Sequence, residues 1–384
     1  MTPRELTLSL LRYERARPIP VVHFGYWTET LAKWAAEGHL TAEEARGFSD
    51  GGPMDVQIAK KLGFDFNYFT VFNFRTPLLP PFPTEVVEEL PDGSRKIRDG
   101  NGTVLLQKPG AGSIPMDFDH LLKDRASWEE YFLPRLQYSP ERFVKAPVLR
   151  GEETVPFGAG GREYLVEDTR ENLYGLYCGS LLGEIRKWIG LEDLCYLQVD
   201  DPGLFREIVE VNAGMWLETV RAVLETGAHF DFAHFWEDIC FKSGPLISPG
   251  LFAEVVGPHY QRITELVAGY GIDIVSLDCD GKIDALIPTW LENGVNTMFP
   301  IEVGTWDANL APWREKYGRQ IRGVGGMNKT IFARDRAAVD AEIERLKPLV
   351  DLGGYIPCPD HRIAPDAEWD KVRYYCDRMH EEFA

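Results

Sequence analysis

Side chains that bind metal ions or transfer protons follow several short apolar segments in the second half of this chain. Most are carboxylates, and thiols, an imidazole and an amine accompany them. In chain order they are Glu237, Asp238, Asp278, Cys279, Asp280, Glu302, Lys329, Cys358, Asp360 and His361. Zn²⁺ takes Cys sulfur, His nitrogen and carboxylate oxygen, and a catalytic zinc site keeps one position open. Without a metal, crowded carboxylates repel one another, so at least one is protonated and acts as an acid. Either arrangement indicates catalysis.

Helices that alternate with these apolar segments must hold the side chains in place. Apolar spacing predicts a helix over residues 203–226, which Gly227 ends, and a strand over Phe230–Phe235 follows. Ser248 and Pro249 are an N-cap and a first-turn proline for the next helix. The later predicted strands are Ile272–Leu277, Val295–Phe299, Gln320–Val324 and Tyr355–Ile356, and the helices between and after them run through Ile283–Leu291, Trp313, Ala337–Leu349 and 366–382. Such alternation predicts a parallel sheet.

Repeated βα units without a glycine-rich phosphate loop after any strand favour a (β/α)8 barrel over an open doubly wound sheet. In the less regular N-terminal half, Ile19–Phe24 and Phe64–Phe69 are predicted strands. We therefore expect one TIM-barrel domain over residues 1–384. Residues after the C-terminal ends of its strands would carry the chemistry.

A β-meander insertion is predicted at about residues 83–110. Its segments Glu85–Leu90, Arg95–Arg98 and Thr103–Gln107 are separated by two turns rich in Asp, Asn and Gly. We expect this insertion to cover one end of the barrel. Together with the last helix, it offers exposed faces for a homodimer.

The composition excludes several classes of partner. Asp and Glu number 60 against 41 Lys and Arg, which gives a formal net charge of −19. This surplus repels nucleic-acid phosphates and anionic lipid. The sequence has no apolar run of transmembrane length, and its charged start differs from a signal peptide, so the expected location is the cytoplasm. Six cysteines without CxxC pairs are expected to be free thiols, with one or two as metal ligands.

Each candidate residue also has a structural alternative. Asp278 and Asp280 suit helix capping as well as catalysis, and neither reading is favoured for either residue alone. Cys358 taken alone is a buried hydrophobe, but Asp360 and His361 beside it favour a functional role. His361 lies in a predicted turn, where a ligand or an acid is favoured over a core histidine.

An aromatic segment follows the first predicted strand and is a candidate for binding substrate. His23, Tyr26 and Trp27 would place an imidazole and an aromatic wall at the barrel mouth, and Glu302 and Lys329 would line the same mouth. Aromatic core packing around a glycine turn explains His23, Tyr26 and Trp27 equally well.

These motifs resemble the uroporphyrinogen decarboxylase-like superfamily, whose members are TIM barrels. The resemblance covers essentially the whole chain and is most specific from about residue 200 onward. The segments that carry it are Trp236–Asp238, Ser243–Pro249, Asp278–Gly281, Gly325–Lys329, Gly353–Pro357, Asp360–His361 and Pro365–Asp366. The decarboxylases of this superfamily need no cofactor and bind porphyrinogen propionates with an arginine-bearing N-terminal motif. The matching segment here, Val22–Trp27, has no arginine, which argues against a multiply anionic tetrapyrrole substrate.

A second branch of the superfamily contains methyltransferases that work with a corrinoid protein and hold zinc by His-x-Cys and a distal Cys. By this resemblance Asp278, Asp280 and Cys358 occupy the ligand positions, and Glu237, Glu302 and His361 are further candidate ligands. In another register Cys279 is the ligand and Leu277 faces the position of the missing His. An Asp, Asp and Cys set is harder than His, Cys and Cys and would hold zinc less tightly.

The resemblance therefore implies a zinc-dependent enzyme that moves a methyl group from a small methylated ether or amine to a corrinoid protein. Glu237, Asp278 and His361 are the expected catalytic residues, and the corrinoid is expected on another polypeptide. One alternative is a cofactor-free decarboxylase that uses Asp278 or Asp280 as its acid. The other is a non-catalytic barrel that binds a tetrapyrrole or a corrinoid.

Overall fold

The computed structural model describes residues 1–74, 77–108 and 115–384. In chain order its strands are β1 (Val22–His23), β2 (Phe66–Asn67), β3 (Val71–Phe72), β4 (Glu85–Glu89), β5 (Arg95–Arg98), β6 (Thr103–Gln107), β7 (Met116–His120), β8 (Pro147–Arg150), β9 (Glu153–Pro156), β10 (Gly175–Gly179), β11 (Phe232–Trp236), β12 (Cys240–Phe241), β13 (Gly244–Pro245), β14 (Val275–Asp278), β15 (Thr297–Phe299), β16 (Arg322–Met327) and β17 (Tyr355–Pro359).

The α-helices lie mainly outside the parallel strands. In chain order they are α1 (Pro3–Leu11), α2 (Thr28–Ala36), α3 (Ala42–Gly47), α4 (Pro53–Leu62), α5 (Arg125–Ser127), α6 (Arg162–Glu167), α7 (Gly183–Ile189), α8 (Leu191–Asp200), α9 (Pro202–Glu225), α10 (Pro249–Val255), α11 (Gly257–Gly269), α12 (Ile287–Glu292), α13 (Val303–Trp306), α14 (Leu310–Tyr317), α15 (Arg336–Asp351) and α16 (Trp369–Phe383). Across the described ranges, none of them has the length and apolar character that a membrane-spanning helix needs.

The parallel strands form the predicted (β/α)8 barrel. One sheet has the order β17-β16-β15-β14-β11-β10-β3, and β1 pairs with β2 in another. Because β3 follows β2 after a turn of only three residues, we count the two segments as one strand position, and the two sheets together supply eight. The first and last positions meet where the Ile363 N–H donates to the Gly25 carbonyl at 3.0 Å and the Trp27 N–H donates to the Ile363 carbonyl at 3.2 Å. This contact joins the end of β1 to the segment after β17.

Aromatic rings fill the interior of the barrel. The Tyr68 ring lies 5.2 Å from Phe232 and 5.0 Å from Phe299, measured between ring centroids. His234 is fully buried beside Phe299, with ring centroids 5.9 Å apart. Large buried rings contribute much of the hydrophobic stabilisation of a core. The barrel is therefore packed with side chains, and the polar residues of interest lie at its end.

The predicted meander is present and extends further than the sequence suggested. Strands β4, β5, β6 and β7 form an antiparallel sheet in that order. The fourth strand, Met116–His120, was not predicted, and the expected boundary near residue 110 lies outside the described residues. The sheet is joined to helix α7 by the Thr103 hydroxyl, which donates to the Lys187 carbonyl at 2.6 Å.

Several barrel strands reach further toward the C-terminal mouth than predicted. Gly325 and Gly326, expected to follow a strand, pair with Pro357 and Cys358 inside β16 and β17. Gly325 has φ of +125°, and a Cβ there would lie 2.4 Å from the Ile301 nitrogen. Only glycine fits this close approach between neighbouring strands. Strands β14 and β17 also extend further than predicted, so that Asp278 is the last residue of β14 and Cys358 lies within β17.

Candidate functional site

Three aspartates form a carboxylate cluster at the C-terminal ends of β11 and β14. One oxygen from each of Asp238, Asp278 and Asp280 lies within 4.8 Å of the others. The neighbouring pairing of β11 with β14 sets Trp236 opposite Asp278, which brings the two loops together. The Asp280 N–H also donates to Asp238 Oδ1 at 3.2 Å. Within the described part of the chain, this is the one group of three or more His, Cys, Asp or Glu side chains close enough to share a cation.

Asp280 raises the pKa of two neighbouring carboxyl groups, Asp238 in the cluster and Glu302 beside it. Burial, and then the charge of Asp280, raise the pKa of Asp238 to about 6. Burial and Asp280 likewise raise the pKa of Glu302, although the Gly281 N–H donates to its Oε2 at 2.5 Å. Like charges held together in a low-dielectric site oppose ionisation of their neighbours. The cluster therefore carries a surplus of negative charge that a positive partner would stabilise.

His361 extends the cluster toward an aromatic wall. Its Nε2 lies 3.2 Å from Asp280 Oδ2. The imidazole stacks on Trp27, with centroids 5.4 Å apart and planes inclined by 17°, and the edge of Phe24 lies 5.7 Å away. Trp27 is partly exposed, whereas Phe24 is buried. An imidazole between a carboxylate and an indole is held in one orientation, as proton transfer requires.

The structure places Glu237 away from this cluster. Its side chain is fully buried and accepts hydrogen bonds from the backbone N–H groups of Leu181, Leu182 and Gly183 at 2.7 to 2.9 Å. The Tyr260 hydroxyl also donates to it. Burial raises the pKa of Glu237, and these donors oppose the rise. This geometry fits a residue that fixes the loop before α7, and the expected catalytic role stays a prediction.

Asp238, the neighbour of Glu237, occupies the position in the cluster instead. Its φ is +50°, a left-handed backbone conformation that Asp tolerates better than most residues. As a result, the Glu237 side chain contacts the loop before α7, and the Asp238 side chain lies beside Asp280. Sequence reasoning placed both residues after the strand but assigned the role to Glu237, because the backbone conformation at residue 238 has no signature in the sequence.

The cysteine sulfurs do not join the cluster. Cys358 is fully buried, and burial followed by Asp360 raises the pKa of its thiol well above the usual value. Burial likewise raises the pKa of Cys279, with Cys240 as the next cause. Neither sulfur belongs to the group of ligand atoms that lie within 4.8 Å of one another. The structure therefore does not bring Asp278, Asp280 and Cys358, the set expected for zinc, together at that distance, and the same holds for the alternative register through Cys279.

His23 and Tyr26, expected at the mouth, are buried in a separate polar cluster. The Gly25 N–H donates to His23 Nδ1 at 3.0 Å, and His23 Nε2 faces Asp55 Oδ1 at 3.6 Å. Burial, and then Arg362, lower the pKa of His23 to about 3, while burial raises that of Asp55 to about 7. His23 is therefore neutral near pH 7 and packs as a core residue, so of the three aromatic-segment candidates only Trp27 is placed beside His361.

Lys329 and Asp360 border the cluster on the side of β16 and β17. Asp360 Oδ2 accepts from the Gly304 N–H at 2.7 Å, and Oδ1 accepts from the Lys329 N–H at 3.1 Å. Burial lowers the pKa of the Lys329 amine, while Asp360, Asp280 and Glu302 raise it. Lys329 therefore lies in the same electrostatic field as Asp280 and Glu302, as expected for a residue of the mouth.

Comparison with known proteins identifies relatives at two levels. The sequence model described as uroporphyrinogen decarboxylase (URO-D) matches residues 186–382, which is just over half of the chain. A search of curated protein sequences finds no match. Among solved structures, a methyltransferase from Methanosarcina mazei is similar at 12% identity, with 100% of each chain covered and a TM-score of 0.59.

Two further solved structures overlap this chain less well. A putative vitamin-B12 independent methionine synthase from Listeria monocytogenes has 14% identity and a TM-score of 0.42, with 96% of this chain and 99% of that chain covered. A B12-independent methionine synthase from a Shewanella species has 11% identity and a TM-score of 0.47, with 95% and 98% covered. Identities this low establish similarity of fold alone.

Proposed function

Because this chain belongs to the uroporphyrinogen decarboxylase (URO-D) family, we propose that it is an enzyme that transfers a methyl group from a small methylated substrate to a corrinoid protein. The observation that carries the proposal is the carboxylate cluster with His361 beside it, at the end of the barrel where enzymes of this fold react. The similar methyltransferase from Methanosarcina mazei agrees with it at the level of fold.

In this proposal the corrinoid partner supplies a cobalt nucleophile, and the chain supplies binding, orientation and proton control. The carboxylate cluster and Trp27 hold the substrate at the mouth. His361, oriented by Asp280 at 3.2 Å, donates a proton to a departing heteroatom where the leaving group needs one. The aromatic packing beneath the mouth keeps water away from the reacting atoms from the barrel side.

The zinc implied by the resemblance does not fit the side chains of this site. The clustered donors are all carboxylate oxygens. Such a set suits hard cations such as Mg²⁺ or Mn²⁺ better than it suits Zn²⁺, for which the resemblance implies cysteine ligands. Cys358 is buried and outside the cluster. No step of the proposed reaction is therefore assigned to zinc.

A cofactor-free decarboxylase is the second candidate, and one observation favours it. A carboxyl group with a pKa of about 6, such as Asp238, keeps a proton near neutral pH better than an ordinary aspartate. Decarboxylation leaves a carbanion that needs such a proton. Methyl transfer and decarboxylation differ in whether a corrinoid is consumed.

The test is an anaerobic assay with cob(I)alamin and a panel of methylated amines and methyl ethers. We expect methylcobalamin to form with at least one donor, and His361→Ala to slow the reaction by about 100-fold where the leaving group needs a proton. His39→Ala is a matched control, because His39 also stacks on a tryptophan, Trp369, with centroids 5.1 Å apart. Release of CO2 from a carboxylated pyrrole, with no methylcobalamin from any donor, would instead establish the second candidate.

A further inference from the structure

We infer that Arg314, Arg319 and Arg322, the arginine cluster, form a binding site for a small doubly charged oxyanion, a phosphate or a phosphate monoester. The cluster lies at the N-terminal end of the barrel, opposite the catalytic mouth. The inference concerns a second site on the protein and does not rest on the proposed function.

The arginine cluster is built around the ring of Tyr13. The guanidinium carbons of Arg314, Arg319 and Arg322 lie 4.6, 5.4 and 5.7 Å from the centroid of this ring. The Tyr13 hydroxyl donates to the Ile321 carbonyl, which joins the ring to the segment that carries Arg319 and Arg322. The negative face of an aromatic ring attracts cations, but it does not neutralise their charge. Three positive charges therefore lie close to one side chain.

The backbone around Tyr13 fixes the ring in this place. Tyr13 has φ of +63°, which is uncommon for a residue with a large side chain. Gly354 packs directly against it, because a Cβ at this position would collide with the Tyr13 ring. The ring on which the three guanidinium groups pack is thus held between α1 and the start of β17.

No acidic side chain neutralises the arginine cluster. Among the residues that the structure describes, none of the three guanidinium groups has a carboxylate oxygen within 4.0 Å. The charge of Arg322 attracts the Asp273 carboxylate, but this group already accepts from Arg12 Nη2 at 2.7 Å and from Arg12 Nε at 3.0 Å. Burial, together with the charges of Arg319 and Arg322, lowers the pKa of Arg314. The three cations therefore repel one another, and a bound anion would relieve this repulsion.

Helix capping accounts for only part of the N–H donors of the cluster. Arg314 Nη1 donates to the carbonyls of residues 352–353 at the end of α15, at 2.9 and 3.0 Å, and Arg322 Nε donates to the Leu11 carbonyl at the end of α1, at 2.7 Å. Cations often make such contacts at helix C-termini. Arg314 Nε and Nη2, however, are buried without a hydrogen-bond partner among the described residues. An unidentified ion or water is one of the usual reasons for such atoms.

The sequence around the cluster is basic in a strongly acidic protein. Residues 12–17 contain three arginines and one glutamate, and residues 314–322 contain three arginines, one lysine and one glutamate. Arg12 and Arg17 pair with aspartates, whereas the arginine cluster does not. The whole chain has a formal net charge of −19. A local positive field of this kind attracts anions against the overall charge of the molecule.

Phosphate matches the cluster better than a carboxylate does. A guanidinium group presents parallel N–H donors that fit two oxygens of a phosphate, and arginine is favoured over lysine for such contacts. A phosphate monoester carries about two negative charges near pH 7, and three oxygens accept hydrogen bonds. A single carboxylate has one charge and two oxygens, so it would compensate only part of the cluster.

The arginine cluster is too far from the catalytic mouth to share a ligand with it. Arg322 is the first of the six residues of β16, and Met327, the last, lies toward the mouth. At about 3.3 Å per residue the two ends are roughly 17 Å apart. A phosphate in the cluster would therefore stabilise the contacts between α1, β16 and the segment before β17 without competing with substrate.

The experiment is calorimetric titration of the full chain with potassium phosphate and, in parallel, with glycerol 3-phosphate, at constant ionic strength. We expect one phosphate per chain, and Arg319→Gln should weaken its binding by about tenfold. Arg319→Lys keeps the charge but loses the paired donors, so it should weaken binding less. Arg319 is exposed, and circular dichroism verifies that both variants fold. Arg336→Gln is the matched control, because Arg336 is also exposed and lies over a tyrosine ring, that of Tyr374, at 4.7 Å.

Thermal unfolding gives a second measurement, since a ligand that binds only the folded state raises the midpoint. Phosphate should raise the midpoint of the wild type and of R336Q more than that of R319Q. Absence of phosphate binding to the wild type would overturn the inference. Unchanged binding in R319Q, or equal weakening in R319Q and R336Q, would also overturn it. Tighter binding of inorganic phosphate than of glycerol 3-phosphate would support the free ion as the ligand, and the reverse would support an ester.

Discussion

Replacing Asp238 by asparagine should stabilise the protein at neutral pH. Burial, and then Asp280, raise the pKa of Asp238 to about 6, whereas an unfolded aspartate titrates near 3.9. A carboxyl group whose pKa is raised by folding favours the folded state below the unfolded pKa, and this contribution is lost as the pH rises through about 6. Wild-type protein therefore loses stability between about pH 4 and pH 6 through this group.

The magnitude follows from the difference between the two pKa values. The two pKa values differ by about two units, which corresponds to roughly 3 kcal/mol of folding free energy at about 1.36 kcal/mol per unit. This is an upper value, because Asp280 acts on Glu302 as well as on Asp238 and the three groups titrate together. The amide of the Asp238→Asn side chain does not ionise, its oxygen can still accept from the Asp280 N–H, and asparagine tolerates the left-handed backbone at this position. The expected gain is up to about 3 kcal/mol at about pH 7.5 and close to zero at about pH 4.

Urea unfolding of wild type and D238N at both pH values measures this difference. The midpoint of D238N should be higher at neutral pH, with an unchanged slope. D377N, a substitution on the exposed side of α16, should unfold like the wild type at both pH values. A gain of equal size at both pH values, or a loss at neutral pH, would refute the electrostatic reasoning.

Two further substitutions test the residues that support the site. Glu237→Gln should destabilise the protein by about 2 to 4 kcal/mol in urea, because an amide nitrogen cannot accept from the buried N–H groups of residues 181–183, whereas the exposed Glu265→Gln should have little effect. Gly25→Ala should cost about 2 kcal/mol or more in thermal unfolding, because Gly25 has φ of +79° and a Cβ would lie 2.5 Å from Asp50 Oδ1. The matched Gly38→Ala has a similar φ of +85° but no neighbour within 4 Å, so a cost equal to that of Gly25→Ala would show that the contact with the Asp50 and Arg362 pair is unimportant.

The barrel was predictable from sequence where its strands are apolar and buried on both faces. Ile272–Leu277 and Val295–Phe299 are largely apolar runs, and both contain strands of the parallel sheet. Strand β10, Gly175–Gly179, was missed because its sequence contains two glycines and no run of β-branched residues. Its glycines are required by neighbours, since a Cβ at Gly175 would lie 2.5 Å from the Phe232 ring. Such a requirement depends on the partner strand and cannot be read from the segment itself.

The candidate site was predictable only as far as strand ends determine it. Asp278, Asp280 and His361 come together because parallel strands end on one face of the barrel. Glu237 and Asp238 separate because of one left-handed residue, and Cys358 is withdrawn because β17 continues through it to Pro359. Shifts of one or two residues at the end of a strand thus decide which side chains reach the mouth, and sequence patterns locate such ends least accurately.

The replacement of the expected thiolate by Asp238 changes the chemistry that the mouth supports. The His, Cys and Cys set of the methyltransferase branch would neutralise a bound zinc ion with its two thiolates and leave the mouth with little charge of its own. Three aspartates, with Glu302 close to Asp280, instead leave a negative mouth in a protein that is already acidic. Such a mouth repels the carboxylates of a tetrapyrrole, which agrees with the absence of arginine from Val22–Trp27, so two separate features of the chain argue against uroporphyrinogen as substrate.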